Sequence, residues 1–255
     1  MNELRRFFLA LAYFTRIPVP AWVGWQPDEL NRAARYFPLV GLLVGAVAAA
    51  VLWLAAQVLP LTLAVLLSMA ASILLTGAFH EDGLADSADG FGGGYTPQRV
   101  LEIMKDSRIG SFGAIALVLV LLGKHQTLLA LDLRGACIAL LVMHPASRWA
   151  ALLVMGTMRY VRGDDADARA KPVAEGIGCS ELVIGSLCGL LPLAALATRD
   201  GLLALGVLLS ILAVTVVAGA WFRRRIGGYT GDCLGALQQL AELAGCMTLL
   251  ALAIR

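Results

Sequence analysis

Seven stretches of this chain are too long and too apolar to fold in water: residues 39–59, 61–79, 112–131, 136–155, 180–197, 202–221 and 234–254. Each reaches or approaches the ~20 residues that a helix needs to cross ~30 Å of hydrocarbon. Backbone N–H and C=O groups have no water to bond to inside a bilayer, so such stretches must be helices. Charged residues make up only 15% of the 255, against roughly 25% in an ordinary soluble domain. The pattern excludes a water-soluble domain. It predicts an all-α, polytopic integral membrane protein of about seven transmembrane helices, forming a single domain over 1–255. Pro60 and the Arg199-Asp200-Gly201 turn are tight connections, so the spans they join are expected to be antiparallel hairpins.

Orientation follows from lysine and arginine, which are in excess on the cytoplasmic side. With the N-terminus inside, fifteen of the twenty fall in inner segments, including Arg5, Arg6, Arg16, Arg169, Lys171 and the run Arg223 to Arg225. Arg134, Arg199 and Arg255 fall outside, while Lys124 and Arg148 lie within spans. The long polar segments 1–38, 80–111, 159–179 and 222–233 then all face the cytoplasm, and short interfacial helices are expected there. The first seventeen residues read as an interfacial amphipathic helix and not as a signal peptide, because no small-residue cleavage site follows them. Five cysteines with no C-x-x-C pair read as free thiols packed as small hydrophobes. Nothing resembles a basic, aromatic-interleaved surface for nucleic acid.

The chemistry concentrates in the cytoplasmic segment 80–111. Glu81 and Asp82 open it, and Asp82, Asp86 and Asp89 stand at i, i+4 and i+7. On a helix they fall within about 60° of arc, on one stripe. Three carboxylates so placed repel one another unless a cation sits among them, and an oxygen-only ligand set favours Mg²⁺ or Mn²⁺ over zinc. The bland alternative is a solvated helix end, although the flanking Leu84, Ala85, Ala88 and Phe91 are apolar and small. A run with four glycines in five residues, Gly90 to Gly94, reads as a substrate-contacting turn. Thr96-Pro97 reads as the N-cap and first residue of a short helix that returns Lys105, Asp106 and Arg108 toward the acidic stripe. Cations that clamp phosphate oxygens beside carboxylates that hold a metal are what a diphosphate site requires.

Two further places are candidates. Arg148, in or near the fourth span, is expensive to bury and so either functional or snorkelling to the interface. Gly228, Tyr229 and Asp232 open the last span, where free N–H groups of a helix N-terminus can bind an anion. Asp232 can instead complete a metal shell, or the turn can be a structural cap. The arginines Arg223, Arg224 and Arg225 are assigned to topology.

Together the stretch from His80 to Phe91, the stretch from Arg99 to Gly110, Pro145-Ala146-Ser147-Arg148-Trp149 and Ile226-Gly227-Gly228-Tyr229-Thr230-Gly231-Asp232 closely resemble the adenosylcobinamide-GDP ribazoletransferase (cobalamin 5′-phosphate synthase) family. Phe14 to Pro20 and Phe37 to Gly41 extend the resemblance over nearly the whole chain. It implies a Mg²⁺-dependent transferase of the bacterial cytoplasmic (inner) membrane, catalysing the last assembly step of the cobalamin nucleotide loop. Adenosylcobinamide-GDP and α-ribazole, or its 5′-phosphate, would give adenosylcobalamin, or its 5′-phosphate, and GMP. On this reading Glu81, Asp82, Asp86, Asp89 and Asp106 hold metal, and Lys105, Arg108 and Arg148 stabilise phosphate charge. Gly228, Tyr229 and Asp232 contact substrate, and Asp89 or Asp106 takes the hydroxyl proton. An oligomer is compatible with it. Asp86-Ser87-Ala88-Asp89-Gly90 also fits the opening D-x-x-D-G of CDP-alcohol phosphotransferases, whose remaining motif is missing here. An ion-coupled transporter is a further alternative, since an acidic cluster with His144 and Arg148 can line an ion path.

Overall fold

The computed structural model describes residues 3–24, 27–162 and 177–253. The expected inner basic residues Arg169 and Lys171, and the outer Arg255, lie outside these. The described residues form eleven α-helices: α1 (Glu3–Phe14), α2 (Pro27–Ala33), α3 (Phe37–Ala55), α4 (Leu61–Thr76), α5 (Phe79–Gly93), α6 (Pro97–Ile103), α7 (Ser111–Ala130), α8 (Leu133–Thr157), α9 (Cys179–Ala197), α10 (Gly201–Ile226) and α11 (Gly231–Ala253). No strand occurs among the described residues; Tyr160 and Tyr229 form an isolated bridge. All five cysteines are free thiols.

Six helical segments are long and apolar enough to cross a membrane: Glu29–Ala55, which contains α3, and α7, α8, α9, α10 and α11. α4 and α5 pass the same test only as a pair, bent by 87°. A straight second span over 61–79 is therefore corrected. α4 stops at Thr76 because Gly77 and Ala78 both take left-handed backbone angles, with φ of 67° and 58°. Glycine adopts that conformation at no steric cost, whereas alanine is strained in it, so the bend is enforced by its surroundings. Arg16 packs against Gly77, and the Arg16 backbone N–H bonds to the Leu75 carbonyl at 2.8 Å.

α8 is the axis of the bundle, packed by α3, α9, α10 and α11. Its face from Val142 to Leu152 is buried throughout, as expected of a helix enclosed by others and not by lipid. α1 lies across the start of α3 and the bend. Tyr13 stacks on Phe37 with ring centroids 5.8 Å apart, and Phe14 stacks on His80 at 5.4 Å. α6 starts as expected, Thr96 accepting from the Arg99 N–H at 3.3 Å. The glycine run is helical where a turn was expected: α5 continues through Gly93, because Met104 and Phe112 pack against Gly90 and Gly92 where side chains would stand.

Candidate active site

α5 crosses α11 where neither helix carries a side chain. A Cβ added to Gly83 would lie 3.0 Å from the Asp232 carbonyl oxygen and 3.2 Å from the Gly235 Cα. This close approach sets the acidic face of α5 against the first turn of α11. Asp86, half-buried, then has Asp232, Asp82 and Asp89 as like-charged neighbours and Arg162 as the opposing charge. Arg162 pairs with Asp232 at 2.9 Å. It is carried there by the segment after α8, whose Val161 N–H donates to the Tyr229 carbonyl and whose Arg159 carbonyl accepts from the Tyr229 N–H, both at 3.0 Å. The Tyr13 phenol of α1 is electrostatically coupled to Tyr160, Asp232 and Tyr229. Burial first, then these neighbours, push it well above its ordinary value, so it remains a protonated donor.

Several expected site residues are elsewhere. Asp89 is engaged structurally: its carboxylate accepts from the Gly110 N–H at 2.7 Å and the Gly113 N–H at 2.9 Å, capping α7. Asp106 is bound by the Arg108 guanidinium at 2.6 Å. Hydrogen bonds from the Arg108 side chain and backbone hold it down to about 2, so it is a poor proton acceptor. Arg108 is largely exposed, and Lys105 is exposed in the turn after α6. Gly228 is closed over by the Arg159 carbonyl, and Tyr229 is buried, 1% exposed. Thr230 accepts from the Cys233 N–H at 3.3 Å, so Thr230 caps α11, and the cap does not use the Asp232 carboxylate. Arg225, assigned to topology, also donates to the Phe91 and Gly94 carbonyls at 2.9 and 2.6 Å and lies over the Phe91 ring.

Arg148 and Glu81 belong to a second, interior cluster. Arg148 is 2% exposed, donates to the His144 carbonyl at 2.9 Å, and has Glu242 and Glu81 as charged neighbours. Lys124 donates to Glu242 at 2.8 Å and to the Gln239 Oε1 at 2.6 Å. Gln239 donates in turn to Glu81 at 2.9 Å. Gln238 donates to Glu242 and, at 3.0 Å, to the Ser147 hydroxyl. Glu81, Lys124, Arg148, Gln238, Gln239 and Glu242 line a cavity of ≈ 30 Å³ with His80 and His144, large and polar enough for a water. Sequence reasoning missed Glu242, Gln238, Gln239, Arg162 and Tyr13. A glutamate in the middle of the last apolar run, one helical turn after Gln238, was the signal for the first three, since an intramembrane charge requires a partner. Arg162 and Tyr13 gave none, because tertiary packing alone brings them to Asp232.

The donor set at Asp82, Asp86 and Asp232 is all oxygen, as a hard divalent cation requires. Among the described residues no three acidic, histidine or cysteine side chains close on one point. A divalent ion there would draw on one or two of these carboxylates and take its remaining ligands from water or substrate phosphate.

The sequence profile of the family described as cobalamin-5-phosphate synthase matches residues 6–251. Adenosylcobinamide-GDP ribazoletransferase of Shewanella frigidimarina is 47% identical over 257 residues, covering 100% of this chain and 97% of its own length. The enzyme of the same name from Shewanella oneidensis is 49% identical over 252 residues, 98% of this chain and 95% of the relative. No solved structure matches.

Proposed function

The chain belongs to the cobalamin-5-phosphate synthase family, and on that premise we propose that it joins adenosylcobinamide-GDP to α-ribazole, or to its 5′-phosphate, at the acidic face between α5 and α11. The full-length match to relatives named for this reaction carries the reading. The CDP-alcohol and transporter alternatives fall with it. A ribazole hydroxyl, the 3′-hydroxyl, attacks the phosphorus bearing cobinamide. The bond from that phosphorus to the bridging oxygen breaks, GMP leaves with that oxygen, and the hydroxyl proton passes to a base or to solvent.

The roles of individual residues follow from their places. Asp82 and Asp86, with Asp232 in place of Asp89 and Asp106, would hold magnesium, which when bound offsets the charge of the diphosphate. Arg162, paired with Asp232 at 2.9 Å, is a cation whose guanidinium could donate at once to Asp232 and to a phosphate oxygen. The Tyr13 phenol stands by as a hydrogen-bond donor. Asp89, engaged by the Gly110 and Gly113 N–H groups, and Asp106, engaged by Arg108, are not free to take the hydroxyl proton, which passes to another carboxylate of the face or to solvent. The site lies at the end of the bundle where 3–24, 27–38, 80–111 and 222–233 gather, and the lysine and arginine bias supports a cytoplasmic orientation of that end in the inner membrane.

The test is GMP release by detergent-purified protein across a Mg²⁺ titration. The wild type turns over, and Asp82→Asn and Asp86→Asn, which keep shape but lose anionic oxygen, fall by roughly two to four orders of magnitude. Glu102→Gln, exposed on α6 and paired to Arg99 at 3.0 Å, costs far less. A wild type that releases no GMP removes the assigned reaction; asparagine variants at wild-type rate under limiting Mg²⁺ remove the metal site.

A further inference from the structure

The aspartates of α5 are brought to α11 by a close crossing. Its nearest approach is Gly83 on Gly235, with Leu84 packed beside Ala236, and a glycine-on-glycine contact brings the backbones together without a side chain to mark the register. Asp82 and Asp86 meanwhile repel Asp232 across the same crossing. A directional contact beside the glycines fixes the register. The described residues supply a hydrogen bond from Gln239, on α11 beyond Gly235, to Glu81, two residues before Gly83.

The direction of that bond is decided by the interior charge pair. An ammonium can only donate, and an ionised carboxylate can only accept. With Lys124 at 2.6 Å on one side of the Gln239 amide and Glu81 at 2.9 Å on the other, only one orientation satisfies both: oxygen toward Lys124, nitrogen toward Glu81. Lys124 is itself fixed by Glu242 at 2.8 Å, and Glu242 by Gln238. We propose that Gln239, oriented by the buried Lys124–Glu242 pair, is the positioning residue that sets the register of the acidic helix on α11, with Glu81 as its anchor and not as a metal ligand. The inference rests on the reaction assigned above only for its activity readout.

A double exchange tests it, because swapping the two side chains conserves the bond and the net charge. Glu81→Gln, Gln239→Glu, the exchange protein carrying both, and the wild type are purified as full chains and compared in GMP release and in melting temperature. Gln239→Glu sets two carboxylates against each other, while Glu81→Gln keeps an amide oxygen that can still accept from Gln239 and loses only the charge assistance. Gln239→Glu is expected to lower kcat by about 100-fold, the scale of a 1 Å misplacement, with KM unchanged within ~3-fold, and Glu81→Gln by less than about 10-fold. The exchange should regain at least ~10-fold of kcat, since geometry and not a particular carboxylate is what is restored. It should also melt above the sum of the two single effects, a favourable coupling. Full recovery is not expected, because Gln239 also donates to the Gln238 Oε1 at 3.0 Å, which a glutamate there cannot do.

Gln239→Glu at wild-type kcat would overturn the tether. So would an exchange protein no better than Gln239→Glu in either readout, or one that fails to accumulate in the membrane. A wild type that releases no GMP would sink the assigned reaction alone, and the coupling in melting temperature would still decide the tether.

Discussion

Asp86 and Asp89 lie within one turn of the same helix, yet Asp89 gives both oxygens to backbone N–H groups at the start of α7 while Asp86 faces Asp82 and Asp232. A carboxylate at a helix N-terminus satisfies orphan donors and meets the positive end of the dipole, so Asp89 is a fastening. Asp106 is the third kind, held by Arg108 with its carboxyl lowered to about 2. An acid depressed in this way is ionised at every pH above that value and protonates only as pH falls through it. It therefore contributes no limb to a pH–rate profile in the working range. Asp106→Asn should leave the shape of the kcat/KM profile between about pH 5 and 9 unchanged and cost less than about threefold in rate. Disappearance of the acidic limb in this variant would return the general-base role to Asp106.

Among the elements, α7 and α11 are joined through an ion pair where lipid-embedded helices ordinarily rely on small-residue packing. Lys124 and Glu242 are each 6% exposed. Breaking a buried pair by removing one charge leaves the other uncompensated and costs roughly 3–5 kcal/mol, while replacing both by residues of similar volume is often near neutral. Glu242→Gln alone should therefore lower the melting temperature of detergent-purified protein markedly, and Lys124→Met added to it should restore most of the loss. If the two losses simply add, the pair makes no net contribution. The bend between α4 and α5 acts at the same scale, because it turns the acidic helix away from the direction of α4 and across α11.

For the whole molecule, the polar connections converge on one end. Arg225 after α10 reaches the Phe91 and Gly94 carbonyls, Arg162 after α8 reaches Asp232, and Tyr13 of α1 is coupled to the same aspartate. The turn between α3 and α4 lies at the opposite end of both helices. Tyr95 and Val58 are 95% and 82% exposed, so a thiol at either is open to reagent. In intact spheroplasts, an impermeant maleimide should label Val58→Cys and spare Tyr95→Cys. The reverse pattern would invert the orientation drawn from lysine and arginine. A broken helix and interior charges are also features of transporters; here they lie beside the acidic face of α5.

Helix identity, the number of spans within one, the short helix after Thr96 and the family were legible in the sequence. Each depends on local composition or on motifs contiguous along the chain: apolar length against bilayer thickness, a cap against its helix. The division of labour among the acids was not legible. Asp82, Asp86 and Asp89 share one stripe of α5, but which of them meets Asp232, which caps α7, and why Glu81 turns inward to Gln239 depend on helices about 20 to 160 residues away in sequence. A straight extension of the second span failed for the same reason, since the left-handed pair at Gly77 and Ala78 is held by contact with Arg16. The sequence determined that carboxylates, cations and a membrane would be brought together. Only tertiary packing decided which oxygens were left free, because a carboxylate's task is set by the partners that reach it, and those arrive from other helices.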